Sequence, residues 1–165
     1  MNDIKNLFKS FGYAFSGILN CILTERNMRI HCVCVIYMYS FLGLTDWFVL
    51  SRADWAILFL ANAIVMMGEL INTAVEKTVD LVTAERKPLA KIAKDAAAGA
   101  VLVGAIFAVC VGIAILGQKD AFVKMFEYFS ANIPALAAFI VSFIIASVFM
   151  LKGIPCASKK GNKSE

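Results

Sequence analysis

Residues 68–81 read GELINTAVEKTVDL. Glu69, Glu76 and Asp80 stand there with Asn72 and Thr73 between them. At about 100° per residue, with Glu69 as zero, Asn72 falls near −60°, Thr73 near +40°, Glu76 near −20° and Asp80 near +20°. Asn62, two turns earlier, falls near +20° by the same count. These residues therefore share one stripe roughly 100° wide, with Ile71, Ala74, Val75 and Thr78 behind it. Clustered carboxylates with an amide oxygen suit a hard cation such as Mg²⁺. A carboxylate half-buried among apolar groups suits general-base work. Arg86, Lys87, Lys91 and Lys94 follow directly, on a short loop and a helix start marked by Pro88. Cations beside a metal site suit a polyphosphate, and the parts together suit phosphoryl transfer. A purely structural polar seam between helices is the alternative reading of the same stripe.

The elements that must position these groups are apolar. Hydrophobic residues make up 61% of the 165-residue chain and charged ones 17%. Soluble domains are about half apolar and roughly a quarter charged, so this is membrane-protein composition. Apolar runs cover 30–50, 55 to about 81, 96–116 and 134–151. Each is near the roughly 20 residues that a span requires. The stripe closes the second run. Three carboxylates at a span centre would cost roughly 7–10 kcal/mol, about what the apolar residues 55–67 return. The stripe must therefore face protein, water or an ion.

Depth places it further. Trp47 and Trp55 fit an interfacial belt at the outer membrane face. Counting from Trp55 at 1.5 Å per residue, Glu69 lies roughly 21 Å in, Glu76 roughly 31 Å and Asp80 roughly 37 Å. The acids thus run from one leaflet into the headgroup region, from the depth of a lipid hydroxyl to that of a water-soluble cosubstrate. Ahead of the spans, Ile4, Leu7, Phe8, Phe11, Phe15, Ile18, Leu19 and Ile22 recur at three- and four-residue steps, with Lys, Asn and Ser between them. That predicts an amphipathic helix lying on the bilayer surface.

Of the 16 Lys and Arg residues, twelve fall on one side of a four-span arrangement. Only Arg52, Lys119 and Lys124 fall on the other, and Lys77 lies within the second span. The positive-inside rule then puts both termini and the 83–95 loop in the cytoplasm. The net charge of +4 is mostly a topology signal rather than a sign of an acidic partner or nucleic acid.

Other motifs carry less. GYAFSGIL has two glycines at P-loop distance, but Ile18 stands where that loop needs Lys. The five cysteines, Cys21, Cys32, Cys34, Cys110 and Cys156, have no metal or redox spacing. Ala96, Ala100, Gly104, Ala108 and Gly112 recur every four residues and predict a smooth face for tight helix packing. Asn132 before Pro134 predicts a helix start, and Pro155 a stop. The first residues lack a basic start and an uninterrupted apolar core, so no cleavable signal peptide is expected.

GELINTAVEKTVDL also resembles, at every position, the signature E-x-[LIVM]-N-[ST]-[SA]-[LIV]-E-x-x-V-D of the prokaryotic diacylglycerol kinase and undecaprenol kinase family. AKDAAAGAVL at 93–102 is similar to its second block, and GYAFSGI and TERNMRIH to its amino-terminal segment. The resemblance implies an all-α membrane protein with a surface helix, a three-span core and here an extra fourth span. It divides the chain into the surface helix and turn (1–29), the core (30–117), an extracytoplasmic connection (118–132), an accessory span (133–152) and a basic tail (153–165). It implies a Mg²⁺- and ATP-dependent lipid kinase at the cytoplasmic face of the cell membrane, working as a homotrimer with shared active sites and no nucleic acid partner. Glu69 would be the catalytic base that meets the lipid hydroxyl, and Glu25 and Glu76 would hold Mg²⁺. Tyr13, Asn72, Asp80, Glu85, Arg86, Lys87, Lys94 and Asp95 would serve the nucleotide. His31 reads as an interfacial histidine. The family often has a basic residue in the surface helix where Asn6 stands here, beside Lys5 and Lys9. ERNMRIH is closer to the Gram-positive branch, which favours undecaprenol; diacylglycerol is the alternative substrate. A small ion-coupled transporter and a non-enzymatic scaffold are the readings from other classes.

Overall fold

A computed structural model describes residues 2–83, 85 and 87–152. Every regular element among them is helical: α1 (Asn2–Thr24), α2 (Arg26–Leu44), α3 (Arg52–Val82), α4 (Pro88–Leu116), α5 (Lys119–Ala131) and α6 (Ile133–Lys152). Helices α2, α3, α4 and α6 are each long and apolar enough to cross a membrane. The chain is an all-α, multi-pass membrane protein.

Local chemistry sets the boundaries. Glu25, in an extended conformation, breaks the chain between α1 and α2. The first span consequently begins at Arg26 and ends at Leu44, earlier at both ends than the apolar run 30–50. Thr45 is extended, and its hydroxyl donates back to the Phe41 carbonyl at 2.6 Å. α3 opens with a reciprocal cap: the Asp54 amide donates to Ser51 Oγ at 3.2 Å and the Ser51 amide to Asp54 Oδ2 at 2.7 Å. At 31 residues, α3 is about 46 Å long, so one end runs past a hydrocarbon core about 30 Å thick. Pro88 occupies the first turn of α4, where its missing N–H costs nothing.

α3 and α4 form the most extensive helix pair. Gly104 of α4 lies in this seam: a Cβ there would sit at ordinary contact distance, 3.7 Å from Ile64 and 3.9 Å from Val65. Gly68 faces Val101 of α4 in the same way, at 3.6 Å. The expected small-residue face thus meets α3 at Gly104, while Gly112 has open space around it. α2 packs on α3 and on α6, and α1 lies across α2 and α3.

The connection 118–132 is itself largely a helix, α5, which the sequence reading treated only as a link. Its aromatic residues join an outer cluster in which Trp47 meets Tyr128 and Phe129 at ring distances of 5.4 and 6.0 Å. α6 follows; Asn132 Oδ1 accepts from the Ala135 amide at 3.3 Å. It docks on α2 through Tyr37, whose hydroxyl donates to Ser142 Oγ at 2.9 Å and whose ring meets Phe139 edge-on. Arg29 is buried and donates to the carbonyls of Ile22 and Leu23 at the end of α1 and of Met150 in α6. The end of α1, the start of α2 and the ends of α3 and α6 therefore gather at one end of the bundle with the start of α4. The expected stop at Pro155 and the tail 153–165 lie outside the described residues.

Candidate active site

Along α3 the polar stripe meets a different partner at each level. Asn62 donates to the Tyr39 hydroxyl of α2 at 3.1 Å and to its own helix at the Leu58 carbonyl, 2.7 Å. Glu69 is 2% exposed, and its Oε1 lies 3.4 Å from His31 Nε2 of α2. Thr73 Oγ1 donates to the Glu69 carbonyl at 2.9 Å and meets Cys21 Sγ of α1 at 3.2 Å. The back of the helix is the open side, with Ile71 59% exposed. From Asn62 to Thr73 the stripe faces protein, as the cost of a carboxylate in lipid requires.

Cys21 is sealed between α1 and α3, 3% exposed. Burial pushes its thiol above the ordinary value, offset in part by the contact with Thr73. It is a packed thiol, and Cys21, Cys32, Cys34 and Cys110 are all free. Cys156 lies outside the described residues.

One turn beyond Glu69, Asn72 Nδ2 donates to Glu76 Oε1 at 3.0 Å. Asn72 Oδ1 is left buried without a partner. Glu25 comes across from the α1–α2 break; its Oε1 accepts from Thr24 Oγ1 at 3.0 Å and lies 3.8 Å from Lys77 Nζ. Glu25 and Glu76 are both close enough to Glu69 for their charges to act on it. Among the described residues no three His, Cys, Asp or Glu side chains converge as a ligand set for a metal. A protein-only cage is not what Mg²⁺ demands: it commonly takes one or two carboxylates and completes its shell with water and substrate phosphates. Glu25, Glu76 and the orphaned Asn72 oxygen fit that requirement.

Where α3 leaves its packed region, a cleft of about 880 Å³ opens against the start of α4. Asp80, Glu85, Lys87, Lys91, Lys94 and Asp95 line it. Every lysine there is matched: Lys94 with Asp80, Lys91 with Asp95 at 3.0 Å, and Lys87 with Glu85 at 3.6 Å. Exposed pairs of this kind contribute only about 0.2–1 kcal/mol each. A bound triphosphate can take the ammonium groups and free the carboxylates at little cost.

The structure thus sets Glu69, Asn72 and Glu76 along one face of α3, brings Glu25 to Lys77 of that helix from the α1–α2 break, and gathers Asp80, Glu85, Lys87, Lys94 and Asp95 in the adjoining cleft. Tyr13 stands apart, 75% exposed on α1 and lining no cleft described here. Arg86 lies outside the described residues. The sequence reading named His31 as interfacial and Lys77 as lying within a span but gave neither a part in the site; the structure sets them against Glu69 and Glu25. Lys77 follows Glu76 and was visible as a cation inside a span. His31 gave only the hint of a polar residue near the start of a span.

Fold and site together define a small multi-pass membrane protein with a buried acidic centre and a lysine–carboxylate cleft at one end of its helix bundle. Residues 12–116 match the family model of prokaryotic diacylglycerol kinase. The undecaprenol kinase of Bacillus subtilis is 43% identical over 120 residues, 72% of this chain and 94% of that protein. A diacylglycerol kinase of Synechocystis sp. is 47% identical over 115 residues, 67% of this chain and 62% of that protein. The diacylglycerol kinase of Escherichia coli K12 is 28% identical over 103 residues, 62% of this chain and 82% of that protein. The chain belongs to the prokaryotic diacylglycerol kinase family and is a lipid kinase. The family match covers most of α1 and all of α2 to α4; α5 and α6 lie beyond it.

Proposed function

We propose that this protein transfers the γ-phosphate of ATP to the hydroxyl of undecaprenol, in the cytoplasmic leaflet of the cell membrane. The observation that carries the reading is Glu69: a sealed carboxylate with an unpartnered oxygen, inside a span, on the same helix face as a lysine-lined cleft. Asp80 lies eleven residues beyond Glu69, roughly 16 Å along α3. A nucleotide held in the cleft by Lys87 and Lys94 directs its phosphates along α3 toward Glu76. A lipid alcohol entering from the bilayer brings its hydroxyl to Glu69.

In the reaction Glu69 takes the hydroxyl proton as the lipid oxygen bonds to the γ-phosphorus. The bond from that phosphorus to the β–γ bridging oxygen breaks, and its electron pair leaves with ADP. Glu25 and Glu76, with Asn72 Oδ1, would hold Mg²⁺; when bound, the ion supplies charge neutralisation on the phosphates. Lys94 and Lys87 bind phosphate oxygens; Asp80 orients Lys94 and Glu85 orients Lys87, while Asp95 holds Lys91 beside them. Twelve of sixteen cationic residues lie on the site's side of the spans, which supports a cytoplasmic site. A homotrimer with shared active sites is what the family resemblance implies, and residues 12–116 carry that resemblance.

Undecaprenol is favoured because the Bacillus subtilis relative, an undecaprenol kinase, matches along 94% of its length. The higher identity, 47%, to a diacylglycerol kinase keeps diacylglycerol as the second reading. The test is a panel of lipid alcohols offered with Mg-ATP to the purified protein in nanodiscs. Undecaprenol should give the highest kcat/KM, and Glu69→Gln should abolish turnover while the protein stays folded. Phosphate transfer to none of the alcohols, with ion flux in vesicles free of nucleotide, would sink the kinase reading in favour of a transporter.

A further inference from the structure

Glu69 Oε1 is buried and makes no hydrogen bond among the described residues. A buried carboxylate oxygen left unpaired is costly, and such exceptions need an explanation. The groups around it are named by the packing. His31 faces it from α2. Glu25 approaches from the α1–α2 break and Glu76 from its own helix. Cys21 of α1 lies beside it, engaged with Thr73. Of these, only the imidazole is both close to Oε1 and able to donate a strong hydrogen bond to it.

The approach of His31 Nε2 is 3.4 Å, without hydrogen-bond geometry. Closing it to about 2.8 Å takes a shift of only about half an ångström. Catalytic hydrogen bonds are often long in a free enzyme and tighten when substrate is bound. His31 lies near the start of α2 and its side chain is 24% exposed, so the ring has room to move.

We propose that His31 is a positioning residue for the transfer reaction. Its Nε2–H closes onto Glu69 Oε1 when the lipid alcohol enters. The carboxylate is then fixed with its other oxygen presented to the hydroxyl. This rests on Glu69 being the base, as proposed above. The step adds no new reactant: the hydroxyl proton passes to Glu69, the imidazole keeps its own proton, and phosphate moves from ATP to the lipid oxygen. The role is that of the outer partners which orient catalytic ligands, whose loss costs about ten- to a hundredfold. His31 does not touch the nucleotide cleft, so ATP binding should be indifferent to it.

The experiment compares His31→Gln, His31→Met and His31→Ala in the full-length protein in nanodiscs, beside Glu69→Gln. Gln retains an N–H donor and Met fills similar space without one. The expected result is that His31→Gln keeps at least about a third of kcat, whereas His31→Met loses about ten- to a hundredfold. KM for ATP should stay within about twofold in both, and added imidazole should restore part of the kcat of His31→Ala. Equal kcat for the Gln and Met variants, whether high or low, overturns the proposal, and does so even if His31→Ala fails to fold. The two readings separate cleanly. An active Glu69→Gln overturns the base assignment itself; an inactive Glu69→Gln beside a fully active His31→Met overturns only the positioning role.

Discussion

Lys94 of α4 and Asp80 of α3 form a direct ammonium–carboxylate contact across the mouth of the cleft, on the most extensively packed helix pair. The pair is partly open to solvent, with side chains 35% and 59% exposed. Its position therefore matters more for what it can bind than for what it adds to stability.

Replacing Lys94 with Ala should accordingly separate binding from folding. KM for ATP should rise about tenfold or more, the equivalent of one strong phosphate contact. The melting temperature should change little, because an exposed pair contributes at most about 1 kcal/mol. Steady-state kinetics beside thermal unfolding in the same detergent reads both. A large drop in melting temperature with an unchanged KM would assign the pair a structural role instead.

Glu76→Gln should raise the Mg²⁺ concentration for half-maximal rate by about tenfold. The amide keeps the shape and loses the charge a hard cation demands. Chelation with excess EDTA should stop turnover, and returning Mg²⁺ should restore it. A magnesium titration of the variant identical to that of the unaltered protein would remove Glu76 from the ion site.

Cys21 gives a pH prediction away from the acids. Its thiol is raised by burial, and the thiolate is the reactive form. At neutral pH the thiolate fraction is smaller than in an ordinary cysteine, so maleimide labelling should be slow. The labelling rate should climb with pH and reach half its maximum above the ordinary value of 9.0. A single-cysteine variant retaining Cys21 measures this directly; fast labelling at pH 7 would contradict the packing of α1 on α3.

A chain ending at residue 117 should keep its kinase turnover within about threefold. All the acids and lysines of the site lie between Glu25 and Asp95, inside the region matched to the family. It should unfold at lower temperature, because Arg29 loses the Met150 carbonyl and Tyr37 loses Ser142. A buried donor stripped of a partner costs about 1–3 kcal/mol. Loss of all activity in a folded, shortened protein would give α6 a part in the chemistry.

Much of this was readable from the residues. Apolar length gives the spans, because lipid admits no other way to satisfy a backbone. The stripe from Asn62 to Asp80 follows from helical angle alone. The ends of elements were harder. Thr45 turns the chain out of helix although Trp47, Phe48, Val49 and Leu50 continue the apolar run. α5 hid because Phe122, Met125, Phe126 and Phe129, which carry its helical repeat, also pass for an interfacial aromatic belt. What a helical wheel cannot supply is the register between helices. The angle of Glu69 says it faces inward; that His31 stands opposite depends on where Glu25 stops α1 and how α2 then leans. Tyr13 shows the same limit in reverse, since it stands out from α1 largely uncovered by the described residues.

The reciprocal cap of Ser51 and Asp54 gives α3 a fixed zero, and an unbroken rod carries that zero inward to Glu69. Inserting one residue between Phe59 and Met67 would push everything beyond it about 1.5 Å along the axis and swing it by about 100°. Glu69 would be carried off the imidazole while the far half of the rod kept its own sequence unchanged. The reach of the enzyme into the bilayer is thus written as a count of residues, and that count has no slack.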